Sequence, residues 1–142
     1  SGFACGRHSD EDIGVVHVRP YNIDRDGTID LSTLKFVPSD YNPKRLRFGD
    51  VLFNNTNSPE LIGKTAIIGK ETEGLAFSNH MSALTFGNLM DPKFVAFQLH
   101  YLWFAAAASL ASQPSSPLAR RDRLHHLFYE RIGNLWCSRG NA

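Results

Sequence analysis

Asn54, Asn55, Thr56 and Asn57 form a run of amide and hydroxyl side chains that opens a polar loop closing at Gly63. An Asn amide can engage N6 and N7 of adenine together, so a cluster of them suits the reading of base edges. Arg19 lies upstream as a further candidate for base reading; Lys44 and Arg45, also upstream, and Lys64 after the loop are the candidates for phosphate contact. Such cations neutralise phosphates and set the register of a protein on a duplex, while loop side chains specify bases. The chemistry these residues could do together is recognition of a duplex rather than bond breaking. The ordinary reading competes with it. Asn and Ser side chains also satisfy the backbone of their own loop, and Pro59 and Gly63 set turns.

Other chemistries are imitated and fail on specific positions. Asn22, Asp24 and Asp26, with Gly27 at the turn, copy the start of a calcium-binding loop, but Thr33 stands where a bidentate Glu must close it. A strand also replaces the entering helix, so the stretch reads as a turn at Asp26-Gly27. Gly63-Lys64-Thr65 copies the end of a phosphate-binding P-loop, yet Ser58 replaces the first glycine and a strand replaces the helix. Cys5 and His8 share a loop without an evident third group for thiol catalysis. The adjacent His125 and His126 would point to different sides of a helix, a poor arrangement for one metal. Glu60 and Lys64 lack the spacing of a nuclease core, and no methyltransferase cofactor motif is visible. No catalytic residue, metal or cofactor is expected.

The elements that must hold the loop are short. Val15 to Arg19, Lys35 to Val37, Val51 to Phe53, Lys64 to Ile68, Leu75 to Ser78 and Met81 to Phe86 read as strands, bounded by Pro, Gly, Asn and Asp. Asp91 is an N-cap and Pro92 the first residue of a helix. Val95, Leu99 and Leu102 lie along one face of it and Phe94, Phe97 and Tyr101 along an adjacent one, so the helix is expected to pack broadly on the sheet, with His100 and Trp103 as packing residues. Leu52, Phe53, Ile67, Phe94, Leu99 and Leu102 are the expected core. After a proline- and serine-rich break, Leu124, Leu127, Phe128, Ile132 and Leu135 recur at helical spacing.

A chain of 142 residues is one domain by default and long enough for a real core. The two cysteines, Cys5 and Cys137, have no metal-site spacing; a reducing compartment is expected, with a disulfide between the ends as the alternative. Neither a secretory leader nor a membrane span is expected. The net charge of +1 gives no basic footprint, but residues 1–111 carry a balance of −2 and residues 112–142 one of +3. A nucleic-acid-binding body of that charge must concentrate its cations locally, and Lys44-Arg45-Arg47 is one such cluster.

Phe48-Gly49-Asp50-Val51-Leu52-Phe53-Asn54-Asn55-Thr56-Asn57-Ser58, followed by Gly63-Lys64-Thr65-Ala66, resembles the target recognition domain of type I restriction–modification DNA specificity subunits. Ser1 to Gly6 and Val18 to Ile23 look like that domain's opening, and Phe77 to Met81 and Asp91 to Ala96 like its later strands and helix. The order and spacing fit from Ser1 to about Trp103, whereas nothing from Ala105 to Ala142 resembles the family. The resemblance implies an α/β, α+β-like fold: a twisted, mostly antiparallel sheet with one main packing helix. It implies a recognition domain over 1–111 and an atypical segment over 112–142, one amphipathic helix. The implied function is sequence-specific recognition of duplex DNA in the cytoplasm, non-catalytic in itself. Methyltransferase and restriction subunits are the implied partners. Arg19, Lys44, Arg45, Asn54, Asn55, Thr56, Asn57 and Lys64 are the expected DNA-binding residues. The alternative is a decayed or repurposed specificity-subunit fragment acting as a protein-interaction module, for instance as a homodimer. DNA binding calls for Arg19, Lys44, Arg45, Arg47 and Lys64 to share a face; their scattering favours the module.

Overall fold

The computed structural model describes residues 1–4, 8, 9, 11, 13–38, 44–56, 58, 60–87 and 90–111, with side chains as far as Trp103. Asn57 and the tail 112–142, with its expected amphipathic helix, lie outside the described residues. Two compact units are distinguished, Ser1–Gln98 and Leu99–Ala142.

Among the described residues, six strands and one α-helix appear in the order expected. They are β1 (Val15–Val18), β2 (Phe36–Val37), β3 (Val51–Asn54), β4 (Thr65–Ile67), β5 (Ala76–Phe77), β6 (Met81–Leu84) and α1 (Pro92–Ala111). Pro20 stops β1 because it cannot donate to a ladder, and Pro20–Asn22 turns as a short 3-10 helix. Asn22 fastens this turn: its Oδ1 accepts from Arg19 N at 3.0 Å, and its Nδ2 donates to Asp30 O and Thr33 O, both at 3.0 Å. The calcium-loop imitation is thereby a closed turn. Gly27 has a φ of 90°, Gly27 N donates to Asp24 O, and Ile23 bridges Ile29.

The strands fall into two three-stranded sheets, in the orders β2-β1-β5 and β4-β3-β6. Of the pairings between these strands, β1–β5 is parallel, and β1–β2, β3–β4 and β3–β6 are antiparallel. The fold class is α+β, mostly antiparallel. Register explains where the core sits. Leu52 lies opposite Ala66 on one side and Ala83 on the other, so the three share a face of the second sheet. Leu52 and Ala66 join Ile68 and Met81 from their own sheet, Val18 and Phe77 from the first, and Ile23 and Leu46 from the connections, in one buried cluster. Burying a side chain such as Leu52 contributes roughly 1.5–3 kcal/mol. An N-terminal strap crosses both sheets: Phe3 pairs with Ser78 in parallel, and Gly2 N donates to Met81 O at 3.0 Å. A Cβ on Gly2 would run into the carbonyl oxygens of Phe77 and Ser78, so the close approach requires glycine there.

Two expected core residues are exposed. Ile67 projects from the face opposite Ala66, on a strand with a single neighbour, and keeps 37% of its surface in solvent. Phe94 is 52% exposed. Leu99 and Trp103 are buried and define the inward stripe of α1. At 3.6 residues per turn, Phe94 lies roughly 140° around the helix from Leu99, whereas Val95 and Leu102 lie within about 60° and are half-buried. Phe97 and Tyr101 share the outward side with Phe94. The apolar stripe is thus narrower than the sequence pattern implies. Asp91 caps the helix as expected, with its Oδ1 accepting from Lys93 N at 2.8 Å. No helix among the described residues is long and apolar enough to cross a membrane.

Candidate nucleic-acid interface

The polar loop leaves the far end of β3 and returns at Lys64, closed at its neck by backbone. Asn54 N donates to Lys64 O and Gly63 N to Asn54 O, both at 2.9 Å. Leu61 and Ile62 are buried and anchor the loop from within, and both their N–H groups donate to Ser58 O. The loop is therefore a compact excursion whose polar edge faces out. The 3-10 turn region lies alongside: Arg25 Nη2 donates to Glu60 O at 2.8 Å.

The members of the amide run have different roles. Asn54 is fully buried, and its Nδ2 donates to Leu61 O at 2.6 Å. Asn54 is therefore corrected from a base-reading candidate to a brace of the loop, since no ligand can reach a side chain inside the core. Its position as the last residue of β3, on the face of Leu52, is what buries it. Asn55 is half-buried; its Nδ2 donates to Ser82 Oγ at 2.8 Å, and its Oδ1 makes no hydrogen bond among the described residues. Thr56 is exposed, and its hydroxyl hydrogen-bonds to His80 Nδ1 at 2.9 Å. Asn57 lies outside the described residues.

The cations divide. Lys64 sits half-buried at the loop's neck. Arg19 follows β1 where Ser78 N donates to Val18 O, two residues before His80, and its guanidinium reaches Thr33 O at 3.4 Å. Lys44 and Arg45 lie elsewhere: Arg45 bridges Ala76 and donates to Gly74 O at 3.3 Å. Arg47 begins the turn into β3, its N–H donating to the buried Asp50 Oδ2 at 3.0 Å. That turn enters the start of β3, four residues from the end that carries the loop and so roughly 13 Å away along the strand. These cations sit on different segments: Arg19 after β1, Arg45 beside β5, Arg47 before β3 and Lys64 at the loop's neck. Acidic groups also border the loop: Asp24, Asp26 and Glu60 are exposed. The hydrogen bond from Ser58 holds the Glu60 carboxyl below the usual range, with a smaller contribution from Arg25.

Two residues near the loop escaped the sequence reading. Arg25 looked like part of a calcium-loop imitation, and His80 like part of a strand connection; only the folded chain brings them beside Glu60 and Thr56. A second polar feature is buried. His17 Nδ1 lies 2.8 Å from His8 Nε2, and Phe3 meets the His17 ring edge-on. Burial, with the neighbouring His8 second, lowers the His17 pKa to about 4, against a weaker pull from the Phe77 and Phe3 backbones. Among the described residues His17 Nε2 makes no hydrogen bond, and no group of three or more His, Cys, Asp or Glu could hold a metal ion.

No protein-family model matches the chain, and no curated protein matches it. The chain is similar to solved structures, two of them as follows. One, concerning complex assembly and conformational transition of the type I R-M system, matches 70% of this chain and 26% of its own at 22% identity, with a TM-score of 0.53. The fold is that of a type I specificity-subunit recognition domain. The other, the HsdS subunit from Thermoanaerobacter tengcongensis, matches 93% of this chain and 39% of its own at 15% identity, with a TM-score of 0.53. The chain thus spans less than half the length of the specificity-subunit structures it matches.

Proposed function

We propose that this chain is a non-catalytic module that recognises duplex DNA by sequence, acting in the cytoplasm alongside modification and restriction subunits. The observation that carries this reading is the specificity-subunit fold with a braced polar loop mounted on β3. On this reading the recognition unit is 1–111, with 112–142 as an appended segment. Asn55, Thr56 and Asn57 form the reading edge. Arg19 joins it in reading bases, Lys64 makes a phosphate contact close to it, and Lys44 and Arg45 make separate, peripheral ones. Phosphate contacts position and base contacts specify. Binding by the chain alone is weak, no tighter than micromolar at physiological salt, the upper end of ordinary nonspecific affinity at about 10⁻⁴–10⁻⁶ M. The acidic neighbours Asp24, Asp26 and Glu60 oppose the polyanion, and a single domain reads only half of a split site.

The test is a salt-dependent titration against a randomised duplex pool. Salt slope reports phosphate contacts and enrichment reports base reading. Lys64→Ala should weaken all sequences alike and flatten the salt dependence by about one unit of slope. An enriched motif that ignores every substitution from Asn55 to Lys64 would place the reading edge elsewhere. The scatter of the cations favours a second reading, in which the fold serves as a protein-interaction module. Absence of any salt-dependent DNA binding by the intact chain decides for that module.

A further inference from the structure

The turn between β5 and β6 presents an imidazole held by both its backbone and its ring. His80 O accepts from Asn55 N at 3.1 Å and from Thr56 N at 3.3 Å, which ties the turn to the start of the polar loop. His80 N donates to Ser78 Oγ at 3.3 Å. Thr56 Oγ1 then takes the near ring nitrogen, Nδ1, at 2.9 Å. The residue is nevertheless exposed. An exposed His on a turn ordinarily samples several rotamers and both tautomers. Here one nitrogen is committed to the protein, and the partner fixes what the other can do: in a neutral imidazole, one nitrogen donates and the other accepts.

We propose that His80 is a DNA-contacting residue of this surface and that Thr56 is its positioning residue; the DNA part rests on the function proposed above. On this proposal the Thr56 hydroxyl is the donor to Nδ1, which puts the proton on Nε2 and lets it donate outward. The ligand chemistry is an acceptor on the duplex, either a phosphate oxygen or the N7/O6 edge of a purine. Thr56 thereby contributes to the reading edge through His80. Asn55 supports the same corner by holding Ser82 on β6. A preset donor is what a reading surface needs, because ordering it on binding would otherwise subtract from affinity.

The experiment has two arms, both on the full 142-residue chain. The first is imidazole nitrogen NMR of the free protein at alkaline pH. A single Nε2–H tautomer is expected for His80, lost in Thr56→Val and kept in Thr56→Ser. A tautomer mixture or the Nδ1–H form in the wild type overturns the positioning role without reference to DNA. The second arm is duplex binding at low salt. His80→Ala should weaken binding about three- to tenfold, the range for one hydrogen bond. Thr56→Val should weaken it in the same direction, and Thr56→Ser should restore it. A uniform loss across sequences identifies a phosphate partner, and a loss of discrimination identifies a purine edge; either supports the contact. Wild-type affinity in His80→Ala, beside a wild-type chain that does bind, overturns the contact alone. A wild-type chain that binds no DNA overturns both the contact and the proposed function.

Discussion

The buried His17 makes the stability of this fold depend on pH. An unfolded imidazole titrates near 6.5, and the folded ring is held at about 4. The folded state therefore favours the neutral ring. Its contribution is fully present above pH 6.5, is lost as the pH falls from there toward 4, and changes no further below that. Each unit of displacement corresponds to about 1.36 kcal/mol, so the ceiling is roughly 3 kcal/mol. The ring lies under a thin cover, between Phe3 and His8 of the strap, and solvent screening reduces this to about 2 kcal/mol. The assay is urea unfolding from about pH 7.5 to about pH 4.5, on the wild type and on His17→Phe. The difference between the two curves should change by about 2 kcal/mol across the window, with the wild type losing more. His8 is displaced in the same direction by its own burial and by Arg19 and Lys35, and it is present in both proteins, as are the depressed Asp26, Asp30 and Glu60 carboxyls. The carboxyl effects cancel in the difference; that of His8, in contact with His17, adds to the His17 effect. Parallel curves would show that His17 is not buried as a neutral ring.

Leu52→Ala should cost about 2–5 kcal/mol, as other large-to-small core changes do, while Phe94→Ala should stay within about 0.5 kcal/mol; chemical denaturation separates the two, and equal losses would refute the assignment of helix faces. Asn54→Ala removes the donor to Leu61 O, so it should cost about 1–3 kcal/mol and destabilise the loop; unchanged stability with altered base preference would return Asn54 to the reading edge. Calcium should leave the melting temperature unchanged, because Asp26 and Asp30 already accept hydrogen bonds from Thr28 and Ser32; a rise of several degrees in a thermal scan would count against this.

Strand positions were readable in the sequence because β-branched and aromatic runs end at Pro, Gly or Asn, and α1 because Asp91-Pro92 marks its start. What could not be read was pairing. Alternation says that Ile67 and Ala66 point to opposite faces, but only the edge position of β4 says that Ile67 stays exposed. The amide run shows the same limit. Composition treats Asn54, Asn55 and Thr56 alike, whereas β3 keeps Asn54 on the buried face of Leu52 and ends there, leaving Thr56 in the exposed loop beyond. His80 was invisible as a site because its partner lies 24 positions away. Lys44 and Arg45 clustered in sequence with Arg47, yet the chain carries them to Gly74 and Ala76 rather than to the loop.

The strap formed by Gly2 and Phe3 has a consequence for how the chain comes to be folded. Its partners at Phe77, Ser78 and Met81 lie more than 70 positions downstream. At about 5–20 residues per second, a ribosome leaves Phe3 waiting roughly 4–15 s before Phe77 is made. During that interval Val18 also lacks Phe77, its parallel neighbour, and β3 lacks β6. Contacts of such long sequence separation close late and fold slowly. The half-made chain therefore presents unpaired strand edges, each a template for pairing with another copy.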